Sequence, residues 1–192
     1  MKLRIGFTGA SGTGKSTLAE FVAETYGLPI NPVGSRSVAA AMGYASPYDV
    51  DAAGNRALFH RRLVDEKVAW EEAHESFVTD RATIDNLTYT VLHDVRSLDA
   101  EAVRKHLMAM GRYTHIFHCP QEVFCKPGDD TARVNDSTYH WIYDATLLSF
   151  LLVATPHIAP GAEVRHLQSS NLEERKQFLT EILRGNQQDN LP

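Results

Sequence analysis

The chain has few cysteines, no long hydrophobic segment and no excess of positive charge. Only Cys119 and Cys125 are present, which excludes a disulfide framework and fits a reducing cytoplasm. The longest apolar run, residues 147–154, contains Ser149 and is far shorter than the ~20 residues that a transmembrane helix needs. The N-terminal residues are interrupted early by Gly6 and do not resemble a signal peptide. We therefore expect a cytoplasmic protein that does not enter membranes.

The net charge is −5 at pH 7, so the chain lacks the positive excess of a protein that coats DNA, RNA or an anionic membrane. An enzyme that binds phosphates can still be acidic overall, because only its cleft must be positive. Hydrophobic residues make up 43% of the sequence and charged residues 22%, which is an ordinary balance for a globular domain. The length of 192 residues suits one core and is short for two. We therefore expect one domain over residues 1–192.

Short apolar segments alternate with longer segments of helical periodicity. The segments expected to be strands are residues 3–8, 28–33, 77–80, 113–119 and 162–167. The segments expected to be helices are residues 15–26, 35–42, 55–74, 83–93 and 99–110, a helix marked by Trp141, Ala145, Leu148 and Leu152, and a final helix opened by Asn171 and Glu174 as a capping box. Residues 44–54 are expected to form a loop. This alternation predicts an α/β fold in which helices cover both faces of a parallel sheet of about five strands.

Residues 9–16 have the sequence GASGTGKS, which fits the Walker A pattern G-x-x-x-x-G-K-[ST] in full. The glycines allow successive backbone N–H groups to point at phosphate oxygens, and the following helix adds the positive end of its dipole. Lys15 can reach the β- and γ-phosphates, and the Ser16 hydroxyl can bind Mg²⁺. Since the motif lies between a predicted strand and a predicted helix, it predicts binding of ATP or GTP. The residues expected to contact the nucleotide are Gly9, Ser11, Gly12, Thr13, Gly14, Lys15, Ser16 and Thr17.

A second Mg²⁺ ligand is expected at the end of a neighbouring strand. Asp80 ends the predicted strand at residues 77–80 and is followed directly by Arg81. Asp80 could also cap the helix that begins near Thr83, and the two roles are compatible. In a kinase reaction, Asp80 would serve either as a metal ligand or as a base that accepts the proton of an acceptor hydroxyl.

Four patches of the sequence resemble the motifs of one family: the Walker A turn, residues 35–37 with 42–43, residues 80–85 and residues 130–136. They are similar to those of the small P-loop kinases of nucleosides and nucleotides, closest to the branch of nicotinamide riboside kinase-like ATPases and related phage-type enzymes. The resemblance implies a three-layer P-loop kinase fold with a mobile lid, and ATP and Mg²⁺ as cofactors. It also implies transfer of the γ-phosphate to a nucleoside or nucleotide-like acceptor, as in a deoxynucleoside monophosphate kinase. The turn at residues 163–171 would pack against the adenine.

Residues 120–136 are rich in Pro, Gly and Asp, which predicts an exposed, mobile loop. The resemblance implies that this loop is the lid and that Arg133 closes over the transferring phosphoryl group, with Lys126 as a second candidate. The positions after the lid at which this branch often carries a further basic residue hold Tyr139 and His140 here. The residues expected to be catalytic are Lys15, Asp80 and Arg133.

The acceptor side of the cleft is predicted from charged and aromatic residues. Arg56, Arg61 and Arg62 lie along the long predicted helix, and most of them are expected to face solvent. Arg36 and Arg81 are therefore the better candidates for binding an anionic acceptor. Tyr44 and Tyr48 are candidates for stacking on a base, and Phe59 fits either stacking or the core. The residues expected to bind the acceptor are Arg36, Arg81, Asp85 and Tyr44. A hydroxyl acceptor needs a base and a phosphate acceptor needs only positive charge, so these residues leave both chemistries open.

Two other functions are also compatible with the sequence. One is a kinase that acts on DNA, either at a strand end or on hydroxymethyluridine, and the other is a nucleotide-dependent switch or assembly ATPase. The acidic charge disfavours tight DNA binding, and the basic lid disfavours a switch. A zinc site is not expected, because His115 and His118 have an odd spacing on a predicted strand and point to opposite faces. We expect a small-molecule substrate, with DNA as an alternative substrate and a homodimer as an assembly to test.

Overall fold

Four short segments form one parallel sheet in the computed structural model, which describes residues 2–125, 136–158 and 162–188. The strands are β1 (Arg4–Thr8), β2 (Phe77–Thr79), β3 (His115–His118) and β4 (Glu163–His166), and their order across the sheet is β2-β1-β3-β4. β1 pairs with both β2 and β3, so it lies inside the sheet. Because all strands are parallel, their carboxyl ends meet at one edge, which is where α/β proteins place their ligands.

Helices separate these strands, as parallel pairing requires. They are α1 (Lys15–Tyr26), α2 (Ser35–Ala41), α3 (Pro47–Ala52), α4 (Arg56–Ala73), α5 (Thr83–Asp94), α6 (Ala100–Ala109), α7 (Ser137–Ala154) and α8 (Leu172–Gln188). Alternate strand residues point to opposite faces: Ile5 and Phe7 share a core with α1 and α8, whereas Phe77 and Ile116 share a core with α5 and α7. The predicted α/β fold, a parallel sheet flanked by helices, is confirmed.

The segment at residues 28–33 is not a strand, so the sheet of the described residues is smaller than predicted. Within this segment, Ile30 pairs with Val78 in an isolated bridge. The Val78 N–H donates to Pro29 O (2.9 Å), which fixes the segment beside β2. Pro29 and Pro32 have no N–H to donate, so the ladder cannot extend in either direction.

Residues 44–54 contain the helix α3, so the prediction of a loop there is wrong. Ser46 is the N-cap, and its Oγ accepts a hydrogen bond from the Asp49 N–H (3.3 Å). Pro47 follows at the first helical position, where its missing N–H has no cost. The helix has six residues and buries Val50 alone, which is too short for hydrophobic periodicity to reveal.

The ends of α1 and α8 show how closely local signals set helix boundaries. α1 spans the predicted residues and ends at Gly27, whose φ of 63° is left-handed. At the start of α8, Asn171 Oδ1 accepts from the Glu173 N–H (2.8 Å) and the Glu174 N–H (3.3 Å). The Glu174 carboxylate accepts instead from Ser169 Oγ (2.6 Å), so only half of the predicted capping box forms.

α7 is present where predicted, but most of the marked apolar residues do not face the core. Its buried face includes Tyr143 and Leu147, whereas Trp141 is 64% exposed and Leu152 is 76% exposed. The helix therefore carries apolar residues on two faces, and periodicity alone does not tell which face is buried. None of the described helices is long and apolar enough to cross a membrane.

Candidate active site

The turn predicted to bind phosphate connects the buried end of β1 to the start of α1. Gly9, Gly12 and Gly14 have positive φ angles of 137°, 80° and 83°, which residues with side chains rarely adopt. A Cβ added to Gly9 would lie 2.5 Å from Cys119 O, so the residue after β3 comes too close for any other amino acid. This backbone conformation allows successive N–H groups to face an anion at the N-terminus of α1.

Lys15 places its ammonium group inside this turn. Its Nζ donates to Ala10 O and to Thr13 Oγ1 (3.2 Å), and the side chain is 5% exposed. Burial, together with the nearby positive charge of Arg81, lowers the pKa of Lys15 to about 8. A buried cation held by neutral oxygens has a strong tendency to pair with an anion, and a phosphate group supplies one.

Ser16 and Asp80 meet at the mouth of the turn. The Ser16 Oγ donates to Asp80 Oδ2 at 2.6 Å, which joins the first turn of α1 to the end of β2. Burial alone would raise the pKa of Asp80, but the charges of Arg81 and Lys15 and the bond from Ser16 lower it. The pair therefore offers a hydroxyl and an ionised carboxylate, the oxygen ligands that Mg²⁺ prefers. These two residues fit the predicted magnesium site.

Arg81 and Asp85 form an ion pair behind the phosphate-binding turn. Asp85 is fully buried, and its Oδ1 accepts from the Gly9 N–H (3.2 Å), Arg81 Nη1 (3.3 Å) and Tyr143 OH (2.8 Å). Arg81 also donates to Ser11 Oγ (3.3 Å). Asp85 is not among the described residues that line the cleft, and it holds Arg81 and Gly9 in place. Its expected contact with the acceptor stays a prediction.

A cleft of about 1010 Å³ continues from the turn between α4 and α5. The residues of the turn that line it are Ser11, Gly12, Gly14, Lys15, Ser16 and Thr17, and among the described residues Gly9 and Thr13 do not. α4 contributes Arg56, Phe59, His60, Leu63 and Lys67, and α5 contributes Asn86, Tyr89 and His93. The cleft is therefore large enough for a nucleotide's phosphates together with part of a second small molecule.

The acceptor residues expected from the sequence divide into two groups. Arg36, Arg81 and Tyr48 line the cleft. Tyr44 does not: its hydroxyl accepts from Asn55 Nδ2 (2.6 Å), and its ring packs against the small core beneath α2 and α3. Stacking of Tyr44 on a base therefore stays a prediction that these contacts do not support. Phe59 combines both of its expected roles, since it is buried in that core and also borders the cleft.

Lys67 is a cleft residue that the sequence reasoning missed. Its side chain is 3% exposed, and its Nζ donates to Thr79 Oγ1 (2.6 Å) at the end of β2, next to Asp80. Burial lowers the pKa of Lys67, although the Glu71 and Asp80 charges oppose this. The sequence did contain a signal for a buried lysine. Lys67 follows Phe59 and Leu63 at intervals of four on the apolar face of α4, where a lysine is unusual.

Arg175 is a second site residue that the sequence did not predict. It lies on α8 and contacts the phosphate-binding turn. Its Nη1 donates to Thr13 O (2.9 Å), and its Nε donates to Ser169 O. The guanidinium carbon lies 5.0 Å from the ring centroid of Phe124, which borders the cleft. Arg175 stands in a charged run of α8 that looks like a solvated surface, so no sequence signal singled it out.

The predicted lid falls mostly on residues 126–135, which lie outside the described residues. Lys126 and Arg133 belong to this segment, so their closing role stays a prediction. Of the lid's described residues, Phe124 borders the cleft. Tyr139, just after the lid, also borders it, and its hydroxyl pairs with His93 Nε2 (2.7 Å).

Comparison with known proteins identifies a family for most of the chain. A family model described as an AAA domain matches residues 4–183. A comparison with curated proteins finds no match. The family match spans the phosphate-binding turn, the sheet and the first part of α8, to residue 183.

Solved structures of kinases share this fold. Deoxyadenosine kinase from M. mycoides with bound dATP matches with a TM-score of 0.59 and 11% identity, covering 95% of this chain and 100% of that chain. Thymidylate kinase from Ehrlichia chaffeensis gives a TM-score of 0.54 and 15% identity, covering 95% of this chain and 98% of that chain. Shikimate kinase from Acinetobacter baumannii, in complex with shikimate, gives a TM-score of 0.53 and 14% identity, covering 100% of this chain and 97% of that chain. At these identities the likeness establishes the fold.

Proposed function

This chain belongs to the AAA domain family, and from that premise we propose that it transfers the γ-phosphate of ATP to a nucleoside or nucleotide-like small molecule. The observation that carries this proposal is the 2.6 Å contact between Ser16 Oγ and Asp80 Oδ2, at the point where the phosphate-binding turn opens into the cleft. The contact brings two oxygen ligands for Mg²⁺ to the boundary between a phosphate site and a second binding space. A kinase needs this arrangement, because phosphoryl transfer depends on position and charge.

Each group of the turn has a role in this reaction. Backbone N–H groups of the turn bind the phosphates, and Lys15 neutralises charge on the β- and γ-phosphates. Ser16 and Asp80 would hold Mg²⁺, which supplies charge to the phosphate oxygens and orients them. Arg81 is held at the turn by Asp85, so its guanidinium is in place before the substrate arrives.

The acceptor is proposed to be a small molecule because of the size and the walls of the cleft. A volume of about 1010 Å³ is at the upper end of the range for small-ligand sites. Aromatic side chains (Phe59, Tyr89) and polar groups (Asn86, His60) line its acceptor side. A flat, polar heterocycle fits such a surface, which supports a nucleoside-like acceptor. Two of the similar solved structures are a deoxyadenosine kinase and a thymidylate kinase, in agreement with this class.

The nicotinamide riboside kinase-like branch, a DNA acceptor and a homodimer stay predictions, and the described residues add no support to them. The position of Asp80 on Ser16 favours a metal ligand over a base for an acceptor hydroxyl. The proposed mechanism therefore assigns Asp80 to Mg²⁺. The acceptor oxygen bonds to the γ-phosphorus as the bond to the β–γ bridging oxygen breaks, ADP leaves, and a hydroxyl acceptor gives up its proton to solvent.

The proposal is tested by transfer of labelled γ-phosphate from ATP to a panel of acceptors. The panel contains deoxynucleosides, their monophosphates, nicotinamide riboside, DNA with free ends and duplexes with hydroxymethyluridine. We expect magnesium-dependent labelling of at least one nucleoside or monophosphate. Release of free phosphate without a labelled acceptor would support a switch or assembly ATPase, and labelling of DNA alone would support the DNA kinase. Either result contradicts the proposal.

A further inference from the structure

A second cavity lies beside the acceptor side of the cleft, between α4, α5 and α6. Its volume is about 240 Å³, compared with about 1010 Å³ for the cleft. Among the described residues, His60 is the one that lines both spaces. The His60 ring is therefore part of the wall between them.

The His60 side chain is buried but is not held by hydrogen bonds. It is 8% exposed, and neither Nδ1 nor Nε2 has a hydrogen-bond partner among the described residues. Asn86 on the facing helix α5 is 5% exposed, and its Nδ2 also has no partner there. Buried polar groups without partners are costly, and a ligand that supplies the partners recovers that cost. Both side chains line the same cleft.

Electrostatics keep the His60 ring neutral. Burial, together with the positive charge of Arg56, lowers the pKa of His60 to about 4. A neutral imidazole offers one donor nitrogen and one acceptor nitrogen. Phe59 lies beside it, with the ring centroids 5.5 Å apart and the rings inclined by 63°. His60 thus adds a neutral imidazole to the aromatic wall that Phe59 forms along the cleft, which suits a flat heterocycle.

The helix α4 connects His60 to the end of the cleft near Asp80, where the phosphoryl group would be transferred. Lys67 is seven residues further along α4, on the same face of the helix, and it bonds to Thr79 next to Asp80. Seven residues span about 10 Å along a helix, which is close to the length of a nucleoside from its sugar hydroxyl to the far edge of its base. An acceptor whose hydroxyl lies at the transfer end, beside the proposed Mg²⁺ site, would place its base towards His60.

We propose that His60 determines which acceptors the cleft admits, by limiting the length of the base and by hydrogen bonding to its far edge. The inference rests on the proposed kinase function and deepens it, because it assigns the acceptor a flat, polar base. Removing the imidazole joins the two spaces and lengthens the site. Replacing it with an apolar side chain of similar size keeps the length and removes the hydrogen bonds.

The experiment compares the kcat/KM of the wild-type protein and its variants for pyrimidine deoxynucleosides and purine deoxynucleosides, with ATP as donor. His60→Ala is expected to raise the purine-to-pyrimidine ratio of kcat/KM by roughly 10-fold or more. His60→Leu is expected to keep that ratio and to raise the KM of every acceptor by roughly 10-fold. The KM for ATP should stay within about two-fold in both variants, since the phosphate-binding turn is unchanged.

His106→Ala is the matched control. His106 lines only the smaller of the two cavities, is 5% exposed and has an Nε2 without a partner among the described residues. Its loss enlarges that cavity without opening the wall, so the ratio should not change. An unchanged ratio in His60→Ala, or an equal change in His106→Ala, overturns the inference.

The outcomes separate this inference from the function on which it rests. If the wild-type protein phosphorylates no acceptor, the proposed function fails and the inference falls with it. If the wild-type protein is active and the His60 variants have the same kcat/KM ratio and the same acceptor KM as the wild type, the inference fails and the proposed function stands. If His60→Ala does not fold, as judged by thermal unfolding, His60→Leu decides, and a wild-type KM in that variant contradicts hydrogen bonding by His60.

Discussion

The hydroxyl of Ser16 donates a 2.6 Å hydrogen bond to the carboxylate of Asp80. The bond links the phosphate-binding turn to the neighbouring strand, so the two oxygens lie close enough to share one Mg²⁺ ion. A residue that served only as base for an acceptor hydroxyl would have no need to contact Ser16. The sequence leaves two roles open for Asp80, a metal ligand and a base for an acceptor hydroxyl. The contact with Ser16 favours the metal ligand, and the two roles predict different responses to Mg²⁺.

Asp80→Asn is expected to reduce phosphoryl transfer by roughly 100-fold at low Mg²⁺, because the amide is a weaker metal ligand than a carboxylate. High Mg²⁺ should restore much of the rate, since the variant weakens the site without removing it. The measurement is a magnesium titration of turnover. Because the pKa of Asp80 is lowered from 3.8, the carboxylate stays ionised as pH falls through the neutral range, and its contribution is lost only below that value.

Asp65→Asn is the control for this substitution. Asp65 lies on the exposed side of α4 and pairs with Lys105, so the variant should behave like wild type. If Asp80→Asn is not rescued by Mg²⁺ and loses the acidic limb of the pH profile, Asp80 is a base. Wild-type turnover at low Mg²⁺ would remove Asp80 from the site.

Lys15→Met is expected to lose phosphoryl transfer by roughly 100-fold or more, because the turn loses its buried charge. The same change should stabilise the nucleotide-free protein by about 1–3 kcal/mol at pH 7. The sign follows from the pKa of Lys15, which is about 8 in the folded protein and has an ordinary value of 10.5. Between these values the unfolded chain binds more protons, so wild-type stability rises with pH in that window. The advantage of Lys15→Met should therefore shrink as the pH approaches that ordinary value.

Urea unfolding at pH 7 and pH 10 measures this difference. Lys2→Met is the control, because Lys2 is a surface residue that pairs with the exposed Glu75. Its free energy of unfolding should differ from wild type by less than about 0.5 kcal/mol at both pH values. A Lys15→Met protein that is less stable than wild type at pH 7 contradicts the argument, because the hydrogen bonds of Lys15 would then outweigh the cost of its burial.

Lys67→Met should lower turnover by roughly 10- to 100-fold, because it removes a buried positive charge beside Asp80. The protein should remain folded, since methionine fills similar space and a buried charge is costly. Turnover and thermal unfolding are measured together, with Lys105→Met on the surface of α6 as the control. Wild-type turnover in Lys67→Met would show that Lys67 only supports Thr79.

The nucleotide side of the site could be predicted from the sequence because its parts are local. The turn at residues 9–16 is contiguous, α1 ends at a glycine, and Asp80 directly follows a short apolar strand. The acceptor side depends on how distant helices pack. The spacing of Asp85 on α5 does not reveal that it turns towards the Gly9 N–H. Tyr44 and Tyr48 lie in the same short segment, and the helix α3 decides which of them reaches the cleft.

Arg175 was the hardest site residue to predict from the sequence, because it lies 162 positions along the chain from Thr13, the residue of the turn that it contacts. Its bond to Thr13 O supports the nucleotide side of the turn, away from Asp80 and the acceptor. Arg175→Ala is therefore expected to raise the KM for ATP by roughly 10-fold and to leave kcat within about two-fold, the pattern of a binding residue. Lys176→Ala is the matched control, since the neighbouring lysine pairs with Glu173 on the surface of α8, and its kinetics should be those of wild type. Initial rates over an ATP titration at saturating acceptor distinguish the two. A fall in kcat at an unchanged KM would instead place Arg175 in the transfer step, because the turn would then bind ATP normally and fail to hold the γ-phosphate in its reactive position.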